Sequence, residues 1–481
     1  MTTTTTEPLV FDTHFIGGAW RPSSGARLPV VNPATLAPVG SAVDGTPADV
    51  DAAVRAAARA LAGEWGRSDA AERAGWMERL ADELERIGTE VSDLVTAQMG
   101  QPVGLSRVLS SAVPVSQLRY YAGLARSFRS EALRDNAVFP GQTRVRREPV
   151  GVVGLIVPWN YPQSLLMAKL APALAAGCTV VIKPAAETPL DALLLAQAVE
   201  RIGLPAGVVN VVTGGRDTGA ALVDHPGVQK IAFTGSTEVG RRIAARCGER
   251  LVPVTLELGG KSAAVVLDDA DAAAVVADLR GNSFLNSGQT CFLLSRVLVP
   301  RTRRDELVDA LVATAQDLRV GDPRGVDTEL GPLVSDRIRS RVDGLVQRAR
   351  EAGADVLTGG RARDGVGYYY EPTVIRGAAP DSELIQTEVF GPVVAVQVYD
   401  DVEGAIALAN GTPYGLGGAV YSADDDRALQ VARRLTTGTV GINGYRPDYG
   451  SPFGGYKASG LGREHGPEAL ENFLATKSIF A

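Results

Sequence analysis

The sequence predicts an α/β fold: a parallel sheet with helices on both faces, a second α/β unit after it, and a small β arm. Three observations carry this. From residue 150 onward, short apolar strands alternate with helical stretches, a grammar that builds a parallel sheet covered on both sides. The same grammar restarts after Gly259-Gly260. A chain of 481 residues is also too long for one simple core, so two or three domains are expected.

The elements follow in order. Residues 7–50 read as irregular and strand-containing: Phe15-Ile16-Gly17-Gly18-Ala19-Trp20 ends in a turn, and Val30-Val31-Asn32-Pro33 is extended. From Pro47 to Met99, alanine-rich stretches with apolar residues at helical spacing predict helices, the longest over 70–86. Residues 126–148 break the pattern. Six arginines (126, 129, 134, 144, 146 and 147) are interspersed there with Phe128, Val138, Phe139 and Val145, as in an extended arm or hairpin. Strands are then predicted over 150–157, 179–182, 207–212, 230–233 and 252–258, with helices over 164–176, 190–201 and 239–247. In the second unit come a strand over 263–267, a helix over 270–285, a strand over 296–299 and a helix over 304–318.

Composition narrows the function classes. An apolar content of 45% with 21% charged residues suits an ordinary globular chain. A net charge of −7 gives no support to nucleic-acid or anionic-membrane binding. Three cysteines in so long a chain make no disulfide framework, which points to a reducing, cytoplasmic setting. Met1 to Glu7 is a polar tail without the basic and apolar regions of a secretory signal. The most apolar long window, Leu165 to Ile182, is interrupted by Lys169, Pro172 and Gly177, and so reads as a buried helix, turn and strand. Of 48 basic residues only six are lysine: 169, 183, 230, 261, 457 and 477. In a chain that otherwise uses arginine, these mark places suited to a compact ammonium.

Ligands bind at the carboxyl ends of strands in such sheets, and distinctive turns fall there. Pro158-Trp159-Asn160-Tyr161-Pro162, Lys183-Pro184, Thr234-Gly235-Ser236 and Glu257-Leu258-Gly259-Gly260-Lys261 each follow a strand. The turn from Gly235 to Gly240 can offer N–H groups and a helix dipole to a phosphate. It departs from the usual G-x-G-x-x-G, and a plain strand–helix turn is the other reading. Gly288-Gln289-Thr290-Cys291 puts a cysteine just after a glycine turn, where its sulfur can face a cleft; a small buried hydrophobe is the alternative. Cys178 and Cys247 read as buried, and His14, His225 and His465 form no metal-ligand spacing.

Taken together, Pro158-Trp159-Asn160, Phe233-Thr234-Gly235-Ser236, Glu257-Leu258-Gly259-Gly260-Lys261, Gly288-Gln289-Thr290-Cys291, Glu388-Val389-Phe390-Gly391-Pro392 and Ser451-Pro452-Phe453-Gly454-Gly455-Tyr456-Lys457 resemble the NAD(P)-dependent aldehyde dehydrogenase superfamily, in family order from about residue 15 to the C-terminus. The resemblance implies a Rossmann-like NAD(P)-binding domain at 1–125 and 149–257 and a catalytic domain at 258–460. An oligomerisation arm and C-terminal segment would occupy 126–148 and 461–481, in a homodimer or homotetramer. It implies Cys291 as the nucleophile, Asn160 as oxyanion donor with the Cys291 N–H, and Glu257 as the base that activates water to hydrolyse a thioester. A free thiol is mostly protonated at neutral pH, so the site is expected to favour the thiolate. Lys169 matches a family lysine near the glutamate, and Glu464 a second carboxylate of a proton path.

For the cofactor, NAD with NADP as the alternative, the resemblance assigns Ile156, Pro158, Trp159, Lys183, Gly215, Phe233, Gly235, Ser236, Leu258, Glu388 and Phe390. Lys183 and Glu388 would hold the two riboses, and the turn at Ser236 the pyrophosphate. Where NAD-preferring relatives often carry a glutamate, this chain has Ala186, with Glu187 one residue later. Tyr161, Leu165, Phe292, Tyr445 and Phe453 would line the aldehyde tunnel, and Ala168 stands where some relatives have tryptophan, which implies a wider pocket. The lining favours an aromatic or medium-chain aldehyde. Arg446 could instead clamp a semialdehyde carboxylate. A CoA-acylating relative and a catalytically silent one are the competing classes; the presence of Glu257 favours hydrolysis over CoA transfer.

Overall fold

The computed structural model describes residues 8–480, so the reading of the polar tail at 1–7 lies outside the described residues. Five parallel strands form the heart of the first sheet. Their spatial order is Val254–Glu257, Lys230–Thr234, Val152–Ile156, Thr179–Lys183 and Val209–Val211. They are apolar nearly throughout because helices cover both faces. From Val152–Ile156 the chain first builds outward in one direction, then returns to add Lys230–Thr234 on the other side. That reversal opens a crevice beyond the carboxyl ends of these two strands. The Pro158-Trp159 and Gly235-Ser236 turns sit there.

Several boundaries differ from the sequence expectation. The segment read as irregular contributes two strands to the large sheet: Thr13–Ile16 lies antiparallel beside Val209–Val211, and Ala19–Pro22 forms the edge. Leu9–Val10, Pro38–Val43 and Arg27–Val31 make a separate small sheet. A helix at Arg216–Asp224 was not anticipated, because Thr218, Leu222 and Val223 are the only residues it buries and they leave a faint periodicity. The helix predicted over 270–285 runs from Ala272 to Asn282 and ends on Ser283; the backbone turns left-handed only at Asn286. Gly460–Leu461 pairs antiparallel with Val254–Glu257, so the end of the expected second unit closes the far edge of the first sheet.

The second sheet has seven strands, in the order Asp355–Thr358, Thr373–Arg376, Val393–Tyr399, Arg296–Pro300, Ala263–Val266, Gly418–Tyr421 and Gly441–Ile442. All pairs are parallel except the first. A third sheet joins Glu131–Asp135, Gln142–Pro149 and Leu474–Phe480, all antiparallel. The window Leu165–Ile182 is the buried helix and strand expected: Pro162–Ala176 ends on Gly177 in the left-handed conformation (φ 91°), and Thr179–Lys183 follows. Among the described residues no helix is long and apolar enough to cross a membrane.

Candidate active site

Two sheet edges meet at the site. Strand Val254–Glu257 passes through Leu258-Gly259-Gly260 directly into Ala263–Val266, so the carboxyl edge of the first sheet faces the amino edge of the second. Cys291 precedes Arg296–Pro300, and Glu388 and Phe390 precede Val393–Tyr399. The approach is close. A Cβ on Gly260 would lie 2.1 Å from the carbonyl oxygen of Cys291, and one on Gly288 (φ 78°) only 1.9 Å from that of Gly391. Glycine is required at both places. Between the edges lies a cleft of about 1010 Å³, bordered by Asn160, Lys183, Ser236, Cys291, Glu388 and Phe390 among others.

Asn160 and the cysteine loop are joined directly. The Asn160 amide is buried and donates one N–H to the carbonyl of Gln289 (2.9 Å); a primary amide has a second N–H to offer. Tyr161 Oη and Thr290 Oγ1 share a hydrogen bond of 2.5 Å. Cys291 itself is partly exposed to the cleft. Its thiol does not favour the anion, contrary to the sequence expectation. Burial pushes its pKa well up, and the charges of Glu388 and Glu257 push in the same direction; the N–H groups of Phe292 and Cys291 oppose this without prevailing.

Glu257 ends its strand with a carboxyl that is 3% exposed and has no hydrogen-bond partner on either oxygen. Burial raises its pKa well above the carboxylate range, and Glu464 adds to the effect, while Lys169 and Arg463 work against it. Lys169, from the interior of Pro162–Ala176, places Nζ 2.5 Å from Glu464 Oε1 and donates to Thr234 Oγ1 (2.5 Å). A thiol and an amide donor thus border one cleft, and the charge of an unpartnered carboxyl backed by a buried ion pair reaches the thiol. That set can attack a carbonyl carbon, hold the resulting oxyanion and move a proton.

The rest of the cleft fits a dinucleotide. Ser236 caps the helix Thr237–Glu249, whose N-terminal N–H groups and dipole suit a pyrophosphate. Lys183 Nζ donates to the carbonyls of Pro184 (2.6 Å) and Gly214 (2.7 Å), and burial brings its pKa down to about 8. Glu388 Oε1 accepts from the Gly260 N–H (3.0 Å), and burial pushes its pKa up to about 7. Phe390, left-handed at φ 63°, meets Trp159 edge to face at 5.3 Å. Ile156, Pro158, Gly215, Phe233, Gly235 and Leu258 also border the cleft. So do Ala186 and Glu187, and Glu187 accepts from Arg337 (3.1 Å).

On the other side of Cys291, Phe292 packs on Tyr445 (5.3 Å) and Phe453 (6.1 Å), and Phe453 on His465 (5.8 Å). Leu165 is half-buried one turn beyond Tyr161. Ala168, expected to widen the pocket, is 1% exposed. Arg446 is exposed. Sequence reasoning missed Arg341, which donates to the carbonyls of Glu388 (2.6 Å) and Val389 (2.9 Å) and so braces the Phe390 turn. It also missed Asn286, whose amide donates to the Asn160 carbonyl (2.9 Å). Asn286 stands two residues before the Gly288 motif, whereas Arg341 lies 47 residues from its partner Glu388 and in no recognised motif.

Comparison with known proteins gives a consistent answer. A model of the aldehyde dehydrogenase family matches residues 20–479. Geranial dehydrogenase of Castellaniella defragrans is 45% identical, over 97% of this chain and 98% of that protein. A 3-succinoylsemialdehyde-pyridine dehydrogenase of a Pseudomonas species is 40% identical, over 97% of each. The crystal structure of Mycobacterium tuberculosis aldehyde dehydrogenase with NAD+ superposes with a TM-score of 0.96 at 42% identity, over 99% of both chains.

Proposed function

The chain belongs to the aldehyde dehydrogenase family, and from that premise we propose how its own residues carry out the reaction. It is an enzyme that oxidises aldehydes with NAD. When bound in the cleft, NAD+ supplies the acceptor for the hydrogen and electron pair that leave the aldehyde carbon. Lys183 and Glu388 would hold its riboses, the turn at Ser236 its pyrophosphate, and Trp159 and Phe390 would wall its reactive end.

Cys291 passes its proton to water in the cleft as its sulfur bonds to the aldehyde carbon. The Asn160 amide, with the Cys291 N–H, stabilises the oxygen that becomes negative. After oxidation the carbon is held as a thioester on Cys291. Glu257 then takes a proton from water, the hydroxide adds to the thioester carbon, and the acid leaves as the C–S bond breaks. Burial suits Glu257 to this task, because a raised pKa makes its carboxylate a stronger base. The observation that carries the reading is the unpartnered Glu257 carboxyl, close enough to Cys291 for its charge to raise the thiol.

The rings of Phe292, Tyr445 and Phe453 support an apolar aldehyde, aromatic or medium-chain, in keeping with the name of the geranial relative. The exposed arm supports self-association, and three free cysteines support a cytoplasmic location. The test is a trapping experiment. With aldehyde and NAD+, Glu257→Gln should give one burst of NADH and an intact mass increased by the acyl group on Cys291. Steady turnover by that variant would refute the role of Glu257. In wild type, benzaldehyde and hexanal should exceed succinate semialdehyde in kcat/KM, and the opposite order would refute the substrate class.

A further inference from the structure

Three consecutive residues before Gln289 have left-handed backbone: Asn286 (φ 53°), Ser287 (φ 56°) and Gly288 (φ 78°). Such a run is disfavoured for residues with a Cβ and persists only where the surroundings over-determine it. They do so here. Ser287 Oγ donates to the Gly331 carbonyl (2.8 Å), and Gln289 donates to the Asn286 carbonyl through both its backbone N–H (3.1 Å) and its side-chain amide (3.0 Å). Gln289 Oε1 in turn accepts from the Val334 N–H (2.9 Å).

Asn160 is joined to this turn by hydrogen bonds in both directions. Asn286 Nδ2 donates to the backbone carbonyl of Asn160 (2.9 Å), and Asn160 Nδ2 donates to the Gln289 carbonyl (2.9 Å). Gln101 adds only a longer bond to the same Asn160 carbonyl (3.4 Å). Asparagine is among the few residue types other than glycine that tolerate the left-handed region, and it also carries an amide donor. Position 286 uses both properties.

We infer that Asn286 is a positioning residue: by holding the Asn160 backbone it sets where the Asn160 amide points relative to Cys291. The inference rests on the reading of Asn160 as the oxyanion donor. A turn residue with a purely structural role would act on Cys291 whether or not the Asn160 amide were present, and this separates the two.

The experiment is a double-mutant cycle in the full-length enzyme. Asn286→Gly keeps the left-handed turn and removes the donor; Asn286→Asp keeps the size and turns the donor into an acceptor facing a carbonyl. Each should lower kcat by about 10- to 100-fold, a misplacement of about 1 Å being able to cost about 10²-fold, with KM for NAD+ unchanged. Asn160→Ala should lose about 10²–10³ in kcat, and adding Asn286→Gly to it should cost nothing more. A further tenfold loss in that background, or a wild-type kcat in both Asn286 variants, overturns the inference. Wild-type kcat in Asn160→Ala overturns instead the reading of Asn160 on which it stands. If Asn286→Gly is too unstable to assay, Asn286→Asp completes the cycle with the same expected outcomes.

Discussion

Burial is the common cause behind the unusual proton affinities at Cys291, Glu257 and Glu388, and its sign differs from what an ion pair would give. Glu388 makes the argument testable. Its folded pKa is raised to about 7 from the ordinary 4.5, so the folded protein holds this proton more tightly than the unfolded chain. The stability it contributes is present below the unfolded value. That contribution is lost as pH rises toward 7, where ionisation would cost roughly 3 kcal/mol. Glu388→Gln keeps an acceptor for the Gly260 N–H and removes the charge. The variant should therefore melt above wild type at about pH 8 and close to it at about pH 5, while its KM for NAD+ rises. Melting below wild type at the higher pH would contradict the account. Glu388 was legible in the sequence because it stands in a recognised motif; the direction of its proton affinity was not, nor was that of Cys291, since both depend on what folds over them.

At the scale of elements, the buried ion pair ties the helix Pro162–Ala176 to the segment that follows Gly460–Leu461. Removing one charge from a buried pair typically costs about 3–5 kcal/mol because the other is left uncompensated, whereas removing both costs far less. Lys169→Met should accordingly lower the thermal midpoint strongly, and Lys169→Met with Glu464→Gln should recover most of the loss. Equal destabilisation in the single and double variants would show that packing, not charge, is at stake. The strands and helices that cradle the site were largely readable from apolar runs punctuated by glycine. What escaped reading was of another kind. Arg341 and Asn286 act through one or two distant contacts, and the helix Arg216–Asp224 buries only Thr218, Leu222 and Val223, so none of them leaves a clear local periodicity. Thr13–Ile16 lay in a stretch read as strand-containing, but its place in the large sheet escaped because its partner, Val209–Val211, lies far along the chain.

Over the whole molecule, several strongly exposed apolar side chains lie on the arm sheet and its loop: Val138 (80%), Phe139 (75%) and Phe480 (80%) protrude, and Leu133 on the same sheet is exposed too. Patches of this kind mark interaction sites, and one on a sheet with an open edge suits pairing with a second copy. Phe139→Asp with Phe480→Asp should reduce the mass measured by light scattering toward that of a single chain. An unchanged assembly would place the contact elsewhere. The hairpin itself was readable from its break in helical pattern, but its third strand, Leu474–Phe480, was assigned to the same structure only through family resemblance.

The return of the C-terminus has a consequence in time. Gly460–Leu461 closes the sheet that begins with Thr13–Ile16, and Leu474–Phe480 then pairs with Gln142–Pro149. On the ribosome, the large sheet must therefore wait with one edge open until Gly460–Leu461 has been translated. A sheet begun near residue 13 is closed only after residue 460, and a nascent chain stalled short of that point carries an exposed edge for chaperones or proteases to find.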